Sequence, residues 1–171
     1  MNSEHDKLLT DWFRRARESQ LAHYACSNYF SRLNLFLGIP TIVLSTVVGT
    51  AVFVSMDNSA IGNYKIAIGM VSMLASVLAA LHTFLGFSQR AEKHKLTASG
   101  YASIRRELEL MKSFNVEEEN ELGKKFEAVK QRMDHLAESS EEVPDRLWKK
   151  VVGELKHRSH DRIFHLPEKN G

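Results

Sequence analysis

Charged side chains vanish from two long stretches of this chain and crowd the rest of it. From Leu33 to Met56 there is no Asp, Glu, Lys or Arg, and the same holds from Ile66 to Gln89. Coiled as an α-helix at 1.5 Å per residue, each run would extend about 36 Å, against roughly 30 Å for the hydrocarbon layer of a bilayer. The pattern therefore predicts two membrane-spanning helices. Between them Asp57–Lys65 reads as a tight turn joining antiparallel helices, with Tyr64 suited to the membrane interface.

The polar flanks carry a different pattern. No Gly or Pro occurs before Gly38, and Leu9, Trp12, Ala16, Ser19, His23, Cys26 and Phe30 recur at three-four spacing. That periodicity predicts one helix running from the polar flank into the first span. Beyond the second span Ala91, His94, Ala98, Tyr101, Ile104, Leu108 and Met111 repeat the pattern, so the two extensions should pair antiparallel for roughly 30 Å. Asn115 is an expected helix stop. The acidic cluster Glu117, Glu118, Glu119 and Glu121 suits the positive end of a new helix. Its stripe is Leu122, Phe126, Val129, Met133 and Leu136, which could pack on the same hairpin or on a neighbouring subunit. Ser139–Val143 breaks the pattern, and Pro144 opens a last helix with Trp148, Val151, Val152 and Leu155 as its apolar face.

The fold class is thus all-α. A two-span transmembrane hairpin (33–56 and 66–89) with long cytoplasmic helical extensions fills 1–114, C-terminal cytoplasmic helices fill 115–158, and 159–171 is a basic tail expected to be disordered.

Averages over the 171 residues, 43% hydrophobic and 26% charged with a net charge of +2, describe an ordinary soluble domain. The segregation of charge overrules them. Where the basic residues lie matters more than their sum. Arg14, Arg15, Arg17 and Arg32 precede the first span, while Arg90, Lys93, Lys95, Arg105 and Arg106 follow the second; the linker has only Lys65. By the positive-inside rule both termini are expected in the cytoplasm. The polar segment before Leu33 is too long for a signal peptide, so the first span should be retained. A single cysteine, Cys26, excludes an internal disulfide and suits a reducing compartment.

Several positions carry candidate chemistry. Gly69, Ser72, Ser76, Ala79, Thr83 and Gly86 form one small or hydroxylated stripe on the second span, readable as a packing seam or as the wall of a pore shared by several copies. Thr41, Ser45, Thr46, Gly49 and Thr50 add to it from the first span. No charged ring is present, so such a pore would be weakly ion-selective. Gly38 and Pro40 mark a candidate hinge: Pro40 leaves the Phe36 carbonyl without its helical donor, and a kink is expected. His82 is the ionisable side chain within the spans, a candidate for gating. His23, His94 and Tyr101 fall on the cytoplasmic helix seam, where histidines satisfied in a helical interface are the plainer reading. The basic tail, with His157, His160 and His165, suits anionic lipid; a nucleotide or nucleic acid is the alternative, and a zinc ion is least favoured for want of a closing ligand. No nucleotide-binding loop, zinc-protease, serine-hydrolase or paired-cysteine motif occurs. The expectation is a non-enzyme without metal or cofactor, and without direct nucleic-acid binding.

In order and spacing the chain resembles the SLATT family, two-transmembrane effectors of bacterial anti-phage systems. The resemblance covers about residues 10–155. It rests on Ala22-His23-Tyr24, Asn34-Leu35-Phe36-Leu37-Gly38-Ile39-Pro40-Thr41, Phe87-Ser88-Gln89-Arg90-Ala91-Glu92-Lys93-His94, Tyr101-Ala102-Ser103-Ile104-Arg105-Arg106-Glu107-Leu108 and Val143-Pro144-Asp145-Arg146-Leu147-Trp148. It implies a homo-oligomeric protein of the inner membrane that permeabilises the bilayer in an abortive-infection response. It further implies a separately encoded sensor: a nucleotidyltransferase making a nucleotide signal, a SLOG protein or a reverse transcriptase. A membrane-anchored scaffold recruiting a soluble partner is the rival reading; a constitutive transporter is disfavoured by the scarcity of charged coupling groups.

Overall fold

The computed structural model describes residues 3–55, 62–113 and 119–158. Five helices account for nearly all of them: α1 (Ser3–Ser55), α2 (Gly62–Leu85), α3 (Phe87–Ser113), α4 (Glu119–Ser139) and α5 (Asp145–Arg158). Among the described residues there is no strand. Two stretches, one in α1 and one beginning in α2, are long and apolar enough to cross a membrane. The expected stop at Asn115, the acidic start of α4 before Glu119, part of the inter-span linker and the tail from 159 lie outside the described residues.

α1 is one helix of 53 residues, as the lack of early breakers predicts. Glu4 and Asp6 in its first turn complement the helix dipole. Pro40 does not interrupt it. Thr41 donates its hydroxyl to the Leu37 carbonyl at 2.8 Å, and Asn34 spends its Oδ1 on His82.

The second apolar run departs from expectation. It does not stay helical to Gln89, because Gly86 adopts φ +55° and separates α2 from α3. Nor does the linker last until Lys65, since α2 already starts at Gly62. Glycine reaches the left-handed region freely, whereas an L side chain there crowds the following carbonyl at about 1–2 kcal/mol. The helix resumes at once, with Arg90 N–H donating to Gly86 O at 3.1 Å. Gly86→Ala is expected to cost about 1–2 kcal/mol, read as a lower midpoint of thermal unfolding in detergent by circular dichroism; an unchanged midpoint would show that the break is not needed.

The chain divides across its helices into two units, residues 28–91 and residues 1–27 with 92–171. In the second of these, α1 and α3 run antiparallel, Asp6 lying opposite Lys112 (3.9 Å) and His23 opposite His94. All seven periodic positions named on α3, from Ala91 to Met111, are buried. The core joins Leu9, Phe13 and Ala16 to Tyr101, Ile104, Leu108, Met111 and Val129, with Trp12, Phe126, Met133 and Leu136 packed against it. Each large side chain buried this way contributes on the order of 1.5–3 kcal/mol. From Phe126 to Leu136 the α4 stripe therefore packs on the same chain. Trp12 meets Phe126 edge-on at 5.5 Å, and Arg132 pairs with Glu107 and reaches Ser103 at 3.3 Å. Gly100 makes the closest approach possible: a Cβ there would lie 2.8 Å from Leu136 Cδ2. Pro144 accepts the first α5 hydrogen bonds, from Leu147 (2.9 Å) and Trp148 (3.1 Å). Val151 is the buried anchor of α5, while Trp148 stays exposed instead of joining its apolar face.

In unit 28–91, α1 and α2 also pack antiparallel, with Asn34 beside His82, and Phe30 stacks on Phe87 at the start of α3. The shielded positions step by three and four: Asn34, Leu37, Thr41, Leu44, Val48 and Ala51 on α1; Ile68, Val71, Ala75, Leu78 and His82 on α2. That is the seam spacing of a left-handed coiled coil.

Candidate functional site

Two polar assemblies stand out, one in each unit. In unit 28–91 the α1–α2 seam is apolar except for Thr41, whose hydroxyl is tied to its own helix, and for Asn34 and His82. His82 Nε2 and Asn34 Oδ1 are 3.0 Å apart, so the ring donates Nε2–H to the amide oxygen. Gly38 leaves room for the ring: a Cβ there would sit 3.5 Å from His82 Nε2, in ordinary contact. His82 thus faces α1. Gly38, named beside Pro40 as a hinge, serves here as the floor under His82.

The small-residue stripe lies elsewhere. Gly69, Ser76, Ala79 and Thr83 are exposed, and only Ser72 and Gly86 are half-buried. Nothing lies within 4 Å of a Cβ built on Gly69. The seam is instead centred one residue over, at Ala75. Within this chain, then, the exposed part of the stripe packs on nothing. Its hydroxyls are tied to their own helix, Ser76 donating to Ser72 O at 2.9 Å and Thr83 to Ala79 O at 3.1 Å. On α1, Thr46 and Thr50 do the same toward Ile42 O and Thr46 O, each at 2.9 Å. Large apolar side chains surround the stripe on the outside, among them Phe36, Met70, Met73 and Phe84, all at least 70% exposed. Water would penalise such a surface; hydrocarbon would not.

The chain matches no protein-family model, no curated protein and no solved structure. The site readings rest on the residues.

The second assembly, in the other unit, is the one the seam periodicity marked. His23 and His94, 5% and 1% exposed, face each other with Nδ1 atoms 2.9 Å apart. Tyr101 stacks on His23 at a centroid separation of 6.0 Å. Buried Gln20, Cys26 and Ser27 continue the polar strip along α1. Burial and the neighbouring His94 push His23 down to about 4, so it is neutral over the physiological range. Burial likewise raises the Cys26 thiol to about 11 and raises the Tyr101 phenol, which a hydrogen bond with Ser19 partly offsets. Neither is a thiolate or phenolate at neutral pH, so nucleophilic chemistry has no starting point here. Among the described residues no cluster of three His, Cys, Asp or Glu side chains could hold a metal ion.

One member of this assembly escaped the sequence reading. Glu141, in the irregular stretch after α4, places Oε2 3.8 Å from His94 Nε2 and Oε1 3.1 Å from Lys93 Nζ. A polar residue in a pattern-breaking loop carries no periodicity by which to be found.

Proposed function

We propose that this chain is a membrane effector of a bacterial anti-phage system. In this reading α1 and α2 form a transmembrane hairpin in the inner membrane with both termini in the cytoplasm. Copies of the chain assemble, and the assembly permeabilises the bilayer when a separately encoded sensor signals infection. One observation carries it: Gly69, Ser76, Ala79 and Thr83 face outward, unpacked, on an apolar helix long enough to span a bilayer. Small residues in lipid let helices of separate copies approach closely, and hydroxyls can wet a passage between them. A lone pair of helices encloses no water, so permeation requires several copies. The resemblance to SLATT effectors supplies the biological setting.

The test is to express the protein with and without its genomic neighbours while following a membrane-potential dye. Depolarisation should accompany every trigger that restores phage defence. Persistent polarisation in defended cells would exclude permeabilisation. The rival scaffold reading draws on Trp148, an exposed aromatic beside exposed Arg146, Lys149 and Lys150 on α5. It predicts that Trp148→Ala abolishes defence while dye response to a forced trigger is absent in the wild type as well.

A further inference from the structure

Two histidines meeting through Nδ1 do something that an apolar seam residue would not. At 2.9 Å the space between them holds one hydrogen, which one ring donates and the other accepts. Two imidazolium ions cannot face each other there. The surroundings then break the tie between the rings. On α1, His23 is flanked by buried Gln20, Cys26 and Ser27, and Tyr101 of α3 stacks on it. No carboxylate is among these groups. His94, on α3, turns Nε2 toward Glu141 of the connector between α4 and α5. Lys93, also on α3, opposes positive charge on His94, but its ion pair with Glu141 fixes that carboxylate where His94 meets it.

A carboxylate beside an imidazole favours the charged ring, so a proton added to the pair settles on His94. The imidazolium donates Nδ1–H to His23 and turns Nε2–H toward Glu141. Glu141 sits in residues 140–144, which are outside any helix and lead directly into α5. Its engagement with Lys93 and His94 ties this connector to α3.

The geometry points to a proton-operated latch: one proton on the His23–His94 pair, carried by His94, clamps the Glu141 connector to α3. The latch concerns the fold of this unit and holds whether or not the chain permeabilises a membrane. Its sign follows from the charges. The first proton creates an ion pair that the neutral pair lacks, so the connector tightens when His94 takes that proton up. A second proton would set two imidazolium rings 2.9 Å apart, so its entry into buried His23 is delayed to about 4.

The experiment uses the full chain in lipid nanodiscs, with imidazole nitrogen shifts followed by NMR from neutral pH to about 4 and amide exchange read at residues 140–143. One ring of the pair should take a proton well before the other. Glu141→Gln should lower that first midpoint by about one unit, a tenfold weaker proton affinity, and speed exchange in the connector. Both rings titrating together near 6.5, neither titrating above about 4, or a first midpoint indifferent to Glu141→Gln would each overturn the latch.

Discussion

Leucine at both Ser76 and Thr83 is expected to abolish the proposed membrane permeabilisation while leaving the chain helical and membrane-associated. Neither side chain packs against another part of its own chain: both are exposed, and each hydroxyl bonds only to the carbonyl four residues back. Leucine is a strong helix former and as apolar as the lipid it would meet. Whatever is lost must then be a contact or a passage between copies. Dye release from liposomes should fall at least about tenfold, the scale on which a coupling of roughly 1.4 kcal/mol is felt. Cross-linking separates the two roles of the stripe. Retained assembly without release marks a pore wall, and lost assembly marks a packing seam between subunits. Ser72 is unsuitable for this test, because it is half-buried on the side of the α1 seam. Release at the wild-type rate would remove the stripe from the mechanism.

Gly100→Leu should have the largest effect on folding, displacing α4 from α3. Even a Cβ at this position would come within 2.9 Å of both Leu136 δ carbons. Those carbons are the tip of a flexible side chain, and alanine regains about 1 kcal/mol of helix propensity over glycine. Gly100→Ala is therefore expected to be close to neutral. A leucine has no such escape, since Leu136 is held against a core of Leu9, Ile104, Leu108 and Val129, and overpacking of this kind costs about 3 kcal/mol. Trp12 reports the outcome through its edge contact with Phe126 of α4. In a Trp148→Phe background its fluorescence should shift on undocking, and the urea midpoint of the full chain in detergent should drop. Leu136→Ala should restore much of the loss in the double variant, because the two sites share one space.

Sequence periodicity found every named position of the seam on α3, from Ala91 through Met111. On α1 it found Leu9, Ala16, His23, Cys26 and Phe30 while passing over buried Phe13, Gln20, Ala22 and Ser27. There the outer faces carry Lys, Arg and Glu, so burial leaves a sharp contrast between positions. Inside the apolar runs that contrast disappears, since lipid is as apolar as a protein core. Small residues were then the visible signal, and the seam centred on Ala75 and Leu78 was hidden among equally apolar neighbours. The helix break at Gly86 went unseen for a related reason. A glycine chosen for its size and a glycine chosen for its positive φ look identical in sequence, and only the break between α2 and α3 tells them apart. Glu141 shows the same limit from the polar side. The histidines were placed by spacing, but their carboxylate arrives from a segment with no spacing at all.

The tethered hydroxyls carry one more consequence. A hydroxyl has a single hydrogen, and at Thr46, Thr50, Ser76 and Thr83 that hydrogen is committed to a backbone carbonyl. What each can still offer is oxygen lone pairs, with no hydrogen to give. In the proposed assembly, a water-filled passage lined by these groups would replace hydration oxygens around a cation and could do nothing equivalent for chloride. With no acidic or basic side chain in the stripe, backbone bookkeeping alone would tilt such a passage toward potassium and sodium.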